Sequence, residues 1–471
     1  MNASRPTRYS GCVCARLAAL LAAFAVGLSN AAAEPGKSEA GSALRQFTIA
    51  KALQERKHFG PAAEKWAEFL KNHASDSRAA DALCNLGICQ FGDKNFTAAT
   101  ATFIQVITAH PKSDARETAW LHLGLAQYNL AADGQTEFYA KAADNLAKYL
   151  KLFPNREETP QATFFLAEAL NASGKKAEAV EAYTRLIAKH PNNALVPDAL
   201  YAVGVAHEEL GQATAAGANY DAYLKRFPTG PQTAEVTLRR GETLFAQKDY
   251  EQAAKWFAAA AARPGFADAD VALFRQATAL YELKRYGEAA DVYTSVGQKF
   301  PDSPLAPKAL YGLAWVRITT SDFSGAVEAL DTLLAKDAAG ELAPRARFAR
   351  GLARVELKEF APALDDVHAY LQSDPAGDDK QGAQYVLGVC QARLNRTEEA
   401  ARTFRAILDQ SPAFTGGDKV LYEMAIALRS LDRGEEATDA FRRLAKEYAD
   451  SPLAAEALFE VGETEYQAGN D

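Results

Sequence analysis

Residues 198–230 read DALYAVGVAHEELGQATAAGANYDAYLKRFPTG, and six of their residues decide the fold. Ala216 and Tyr220 are four apart, so on a helix they share one face, with the larger residue marking a buried stripe. Pro228 follows, and a proline turns the residue before it away from helical geometry, which gives the segment a built-in stop. Gly204 lies in an earlier apolar run, where glycine costs a helix about 1 kcal/mol against alanine. Close approach of a neighbouring helix, which only a small residue allows, is the reason for that cost. Gly211-Gln212 separates the two runs as a turn. The stretch therefore reads as helix A, turn, helix B and a proline-marked link.

The pattern recurs. Alanine returns at Ala62, Ala99, Ala142, Ala179, Ala216, Ala253, Ala289, Ala326, Ala363, Ala400 and Ala437, almost always 37 residues apart. A bulky apolar residue stands four places after each, from Trp66 and Phe103 through to Phe404 and Phe441. The small slot ahead of each alanine holds Gly87, Gly124, Gly204, Gly241, Gly351 or Gly388, or else alanine at 50, 167, 277, 314 and 425. Gly462 opens a twelfth copy. Turn signals such as Gly92-Asp93 and Gly174-Lys175 separate A from B. No strand-like alternation persists. One unit of this size cannot bury its own faces, so stability comes from stacking, with the aromatic residues plugging between repeats.

The small–aromatic–alanine–aromatic–proline spacing resembles the tetratricopeptide repeat family over residues 43–471. The resemblance implies an all-α, right-handed α-solenoid of about twelve helix-turn-helix repeats, with the A helices lining a concave surface. The period departs from the family's usual 34, through longer links such as HPKSDARETA (110–119) and FPDSPLAPKA (300–309). Units of this form are similar to those of bacterial envelope proteins, among them the lipoprotein of the outer-membrane β-barrel assembly machine and the periplasmic Tol–Pal coordinator.

The N-terminus supports that compartment. Arg5, Arg8 and Arg16 precede an apolar run from Leu17 to Leu28 and then SNAAAEP, a secretory signal expected to be cut after Ala33, with a short linker over residues 34–42. The alternative is an uncleaved N-terminal membrane tether, for which the run is short. Cys12 and Cys14 lie before the run, the wrong place for lipidation. Nothing else in the chain is long and apolar enough to span a bilayer. The formal charge is −8, and residues 1–33 carry three arginines and no acid, so the mature chain is more acidic still. That opposes nucleic acid and anionic membranes as partners. Cys84, Cys89 and Cys390 are spaced too unevenly for a disulfide framework and read as small core residues.

No catalytic constellation is present: HExxH, a Walker loop, GxSxG, CxxC and a dinucleotide fingerprint are all missing. No cofactor or metal is expected. His110 and His190 share a position before the link proline and read as helix-terminus residues; His122 and His207 lack an acid at ligand spacing. The acid pairs Glu157-Glu158 and Asp365-Asp366 read as solvated faces or link residues.

Two columns in phase with the alanine are candidates for partner binding. Three residues before the small slot come Phe164, Tyr201, Phe274, Tyr311, Phe348, Tyr385, Tyr422 and Phe459, with Cys84, Leu121 and Leu238 in the other copies. An aromatic ladder along a groove offers large rigid contacts; the same spacing also suits rings packed between helices A and B. Three residues earlier the column changes sign, from Asp198 and Glu235 to Lys308, Arg345 and Lys419, with Arg393 and Arg429 reinforcing the basic half. A groove so lined would orient a charged partner. The third copy carries six extra residues around AADGQTEFYAK (131–141), expected as a projecting loop or an extended helix end.

The function expected is a non-enzymatic scaffold that binds protein or peptide partners in its concave groove. The alternative is the non-catalytic arm of a larger enzyme, or of a peptidoglycan- or carbohydrate-binding protein, whose other domain lies beyond residue 471. The next alanine falls due at 474, and Gly469-Asn470-Asp471 reads as an A–B turn without its helix B, which favours a longer protein.

Overall fold

The computed structural model describes residues 39–411 and 414–467. The expected signal segment, most of the linker, Pro412 and Gly469-Asn470-Asp471 lie outside the described residues. Among the described residues there are twenty-three α-helices and no strand. The chain divides into two compact units, residues 1–236 and 237–471.

Unit 1 contains α1 (Glu39–Glu55), α2 (Phe59–Asn72), α3 (Ala79–Gly92), α4 (Phe96–Ala109), α5 (Ala115–Ala132), α6 (Phe138–Leu152), α7 (Thr159–Ala172), α8 (Lys176–Lys189), α9 (Val196–Glu209) and α10 (Ala213–Arg226). The boundary falls within α11 (Thr233–Ala246). Unit 2 continues with α12 (Tyr250–Ala261), α13 (Ala269–Glu282), α14 (Tyr286–Lys299), α15 (Ala306–Thr319), α16 (Phe323–Lys336), α17 (Ala343–Glu356) and α18 (Phe360–Leu371). It ends with α19 (Gly377–Arg393), α20 (Thr397–Gln410), α21 (Gly417–Ser430), α22 (Gly434–Glu447) and α23 (Ala454–Gln467). Odd helices are the A helices and even helices the B helices. The first begins at Glu39, within the stretch read as linker.

Each helix packs mainly on its neighbours in sequence, as in an all-α solenoid. Within each unit the closest second-neighbour packing joins odd helices: α3 with α5 and α5 with α7 in unit 1, and α13, α15, α17, α19 and α21 in succession in unit 2. Odd helices approaching one another form the tighter, inner side of each stack.

The alanine register is the buried seam. Ten of its members from Ala62 to Ala400 are fully buried, and Ala437 is 3% exposed. The bulky residue four places later reaches across to the slot on the odd helix of its own repeat. A Cβ at Gly87 would stand 2.6 Å from the Phe103 ring, at Gly241 2.6 Å from Phe257 and at Gly388 2.5 Å from Phe404. The slot is small because the ring occupies the space. The expectation that these rings sit between repeats is half of the arrangement: Tyr293 approaches Thr278 of its own repeat, at 3.3 Å between hydroxyls, and also Gly312 of the next.

The A–B turns close by one device. A residue with positive φ follows each odd helix from α1 to α21, and the residue after it donates back to a carbonyl five positions earlier, as in Asn95 N–H to Gln90, Arg285 to Leu280 and Arg396 to Gln391. Glycine fills this place at Gly134, Gly174 and Gly211, but lysine does at positions 57, 94, 248, 284 and 358. The Gly92-Asp93 signal is therefore displaced: the left-handed residue is Lys94 at φ 59°, and Gly92 is the last residue of α3, where a Cβ would stand 2.7 Å from the Phe59 ring. The six extra residues of the third repeat are divided between an extended helix end and a longer connection: α5 runs 18 residues where most odd helices run 14, and residues 133–137 join it to α6 where 93–95 join α3 to α4.

Candidate functional site

The aromatic column is shared between core and surface. Phe164 is 1% and Tyr311 7% exposed, so neither presents a ring to solvent. Tyr201, Phe274, Phe348, Tyr385 and Tyr422 are half-buried. Four of these rings lie against a ring of the even helix in their own repeat: Phe274 on Tyr293 at 5.8 Å, Phe348 stacked on Tyr370 at 4.8 Å, Tyr385 on Phe404 at 6.1 Å and Tyr422 on Phe441 at 5.9 Å. Phe459 is 66% exposed, with no even helix after α23 among the described residues.

The free edges of the tyrosines face the next repeat. Tyr201 donates to Glu235 at 3.4 Å and Tyr422 to Glu456 at 2.6 Å, so the aromatic column of one repeat meets the charged column of the following one. The acid beside Tyr422 pushes its phenol up to about 12. This is the partner that a shielded hydroxyl requires.

The basic half is smaller than the sequence suggests. Arg393 pairs with Glu423 at 3.2 Å and Arg429 pairs with Glu460, each one odd helix further on. Glu242 and Arg275 form the same kind of bridge between α11 and α13. Paired cations of this kind join repeats and leave little charge for a ligand. Lys308 is half-buried, Arg345 and Lys419 are exposed, and among the described residues none of the three forms an ion pair or a side-chain hydrogen bond.

A further row lies beside these columns, one residue after the slot: Trp315, Leu352, Val389 and Ile426, all half-buried. With the columns it makes a 3-4-3 spacing, which puts all its members on one helix face. On α15 that face is Lys308, Tyr311, Trp315 and Ile318; on α17 it is Arg345, Phe348, Leu352 and Val355. On α19 it carries Tyr385, Val389 and Ala392, and on α21 Lys419, Tyr422, Ile426 and Arg429. The ion pairs and phenol bonds between odd helices use this same face, so it is the inner side of the stack. In unit 1 the row holds the exposed Lys51, the half-buried Ile88 and then Leu125, Glu168 and Val205, all three buried, so no run of open apolar residues forms. The continuous, partly accessible apolar strip thus belongs to unit 2. Sequence reading missed it because its residue types vary, although the alanine register marks it eleven positions before each alanine.

Chemistry is sparse elsewhere. The three cysteines are buried free thiols, and burial pushes Cys84 and Cys89 up to about 12 and Cys390 to about 11. His110 and His190 end α4 and α8 as C-cap residues. His122 is held neutral by burial, its Nδ1–H donating to Thr118 O at 3.0 Å. The Asp365-Asp366 pair departs from expectation: Asp366 is 4% exposed and accepts from both Arg350, at 2.9 Å, and Arg354, at 2.8 Å, so its charge is paired. Glu168, 8% exposed, accepts from Tyr183 and from Tyr128 at 3.4 Å, and burial pushes it up to about 7. Among the described residues no group of three or more His, Cys, Asp or Glu is placed to hold a metal, and no helix is long and apolar enough to cross a membrane.

Tetratricopeptide repeat models match residues 47–114, 130–194, 177–231, 201–269, 311–378, 376–413 and 422–471, and a second such model matches 271–303, together well over half of the chain. The chain belongs to the tetratricopeptide repeat family. Repeats of this family generally mediate protein–protein interactions. No curated protein matches this tetratricopeptide chain in sequence. Among solved structures it is similar to the C-terminal part of a repeat-containing protein from Cytophaga hutchinsonii, at 16% identity and TM-score 0.45, covering 56% of this chain and 98% of that one. It is similar to a repeat protein from Parabacteroides merdae, at 13% identity and TM-score 0.38, covering 57% and 98%. It also resembles the complex of Naa15 and Naa10 bound to HypK, at 15% identity and TM-score 0.43, covering 91% of this chain and 66% of that one.

Proposed function

We propose that this tetratricopeptide protein is a non-enzymatic scaffold of the bacterial cell envelope that holds partner proteins along the odd-helix face of unit 2. The observation that carries the reading is the strip of Trp315, Leu352, Val389 and Ile426, apolar yet partly open on four successive odd helices. Apolar residues on the inner side of a stack add little to folding while exposed, and a partner that covers them gains about 25 cal/mol per Å² of area removed from water. The reading places the protein in the periplasm, delivered by the N-terminal segment, in keeping with the 37-residue units that resemble those of the Tol–Pal coordinator and the β-barrel assembly lipoprotein. Retention of that segment as a membrane tether is the alternative placement.

Two experiments test this. Fractionation of cells expressing the tagged protein should release it from the periplasm at the size of a chain cut after Ala33; recovery in the cytoplasm contradicts the placement. Affinity capture from envelope extracts should recover the same partners with wild type and with a Glu328→Ala control on an even helix. Trp315→Ala with Leu352→Ala should lose them while helix content and melting hold. Equal recovery by the double variant removes the strip from the account.

A further inference from the structure

We infer that the unit 2 strip takes a peptide segment with an apolar face and an acidic flank, the flank lying against Lys308 and Arg345; this rests on the reading of the strip as the binding surface. The argument starts from the helix dipole. The first turn of a helix is a partly positive environment, which favours an acidic residue there by about 0.3–1 kcal/mol and disfavours a basic one. Most odd helices follow the rule: Asp81, Glu117, Asp198, Glu235, Asp270, Asp378 and Glu456 stand in the first turns of α3, α5, α9, α11, α13, α19 and α23. The adjacent helices α15 and α17 break it. Neither has an acid in its first turn, and each puts a base third, Lys308 and Arg345.

No carboxylate reaches either base at ion-pair distance, although Asp379 on α19 acts electrostatically on the same phenols, Tyr311 and Tyr370, as Arg345 does. Other arginines of the inner face are held by carboxylates, as Arg275 is by Glu242 and Arg393 by Glu423. Lys308 and Arg345 have no such partner among the described residues. Two unpaired cations on two helix N-termini, side by side, make an edge of concentrated positive potential in a chain of net charge −8. A local rule broken without an internal ion pair to offset it is the mark of a functional position. The apolar floor lies directly beside this edge, because Trp315 and Leu352 are seven residues after Lys308 and Arg345 and share their helix faces. At the other end of α17 the exposed Glu356 stands at the negative end of the helix dipole, while the last-turn bases Arg317 of α15 and Arg354 of α17 are paired with Asp322 and Asp366. The surface is therefore polarised across its width. A segment seated on it is favoured with carboxylates on the N-terminal side and disfavoured when turned over. Because the whole chain is acidic, this preference acts at contact and does not arise from long-range attraction.

The test uses three fluorescein-labelled amphipathic peptides of equal length and identical leucine face, flanked by glutamate, glutamine or lysine. Their binding to the purified full chain is read by anisotropy at about 0.05 M and about 0.3 M salt, where screening lengths differ. The glutamate peptide should bind at least ~10-fold tighter than the lysine peptide, with the gap narrowing at high salt. Lys308→Glu with Arg345→Glu should reverse the order, helix content being checked by circular dichroism. Leu352→Asn, which removes the apolar contact without adding charge, should weaken all three peptides alike. Equal binding of the glutamate and glutamine peptides, an unchanged order in the charge-reversed variant, or no binding of any peptide overturns the inference. If binding needs Leu352 but shows no charge order, only this inference fails. If the charge order appears but Leu352→Asn changes nothing, the apolar strip itself is wrong.

Discussion

The phenol of Tyr422 on α21 donates a 2.6 Å hydrogen bond to the carboxylate of Glu456 on α23, one repeat further along. Tyr201 and Glu235 repeat the relationship in unit 1 at 3.4 Å. Tyr422 thus grips its own repeat through its ring on Phe441 and the next repeat with its hydroxyl.

Tyr422→Phe keeps the packing on Phe441 and removes only the bond. The loss expected is about 0.5–1 kcal/mol, below the ~1.5–3 kcal/mol usual for a bond to a charged group, because the site is largely solvated. The phenol's folded value, about 12, lies above its ordinary 10. Its contribution is therefore complete below pH 10 and disappears as the pH climbs towards 12. Absorbance titration of wild type against Tyr422→Phe should show one phenol fewer ionising near the upper value.

Glycines separate two structural demands. Gly388→Ala pushes a Cβ to 2.5 Å from Phe404 and should cost about 1–3 kcal/mol through overpacking. Gly174→Ala meets open space but must hold a φ of +85°, for about 1 kcal/mol. Gly287, with neither constraint, should tolerate alanine with a change between zero and ~0.5 kcal/mol of added stability. Denaturant midpoints of the three variants give the order directly.

Glu168 makes stability depend on pH in an unusual direction. Its carboxyl is raised from 4.5 to about 7 by burial. Below pH 4.5 folded and unfolded chains both keep the proton and the full contribution is present. Between 4.5 and 7 the unfolded chain releases a proton that the folded chain retains, so stability falls as the pH rises. Across that window Glu168→Gln should gain about 3 kcal/mol relative to wild type. Parallel pH profiles for the two proteins would contradict this.

What the sequence made legible follows from period. Residue type and spacing carry the alanine seam, the small slot and the helix-ending role of His110 and His190, because these are local demands met in every repeat. The left-handed residue at Lys94 was hidden, since the turn geometry is imposed by the helix end and lysine does not announce it. Asp366 looked solvated because the arginines that bury its charge come from a different helix. The aromatic column was ambiguous for a physical reason: a ring on an odd helix can touch its own even helix and the groove edge at once, as Phe348 does on Tyr370. The apolar strip escaped notice because Trp315, Leu352, Val389 and Ile426 share a position and no residue type.

The most direct measurement is site-specific photo-crosslinking in cells. A photoreactive residue replacing Leu352 should give discrete covalent adducts with partner proteins, while one replacing Glu328, whose side chain is 80% exposed on α16, should give none. Adducts at Glu328 and none at Leu352 would contradict the account.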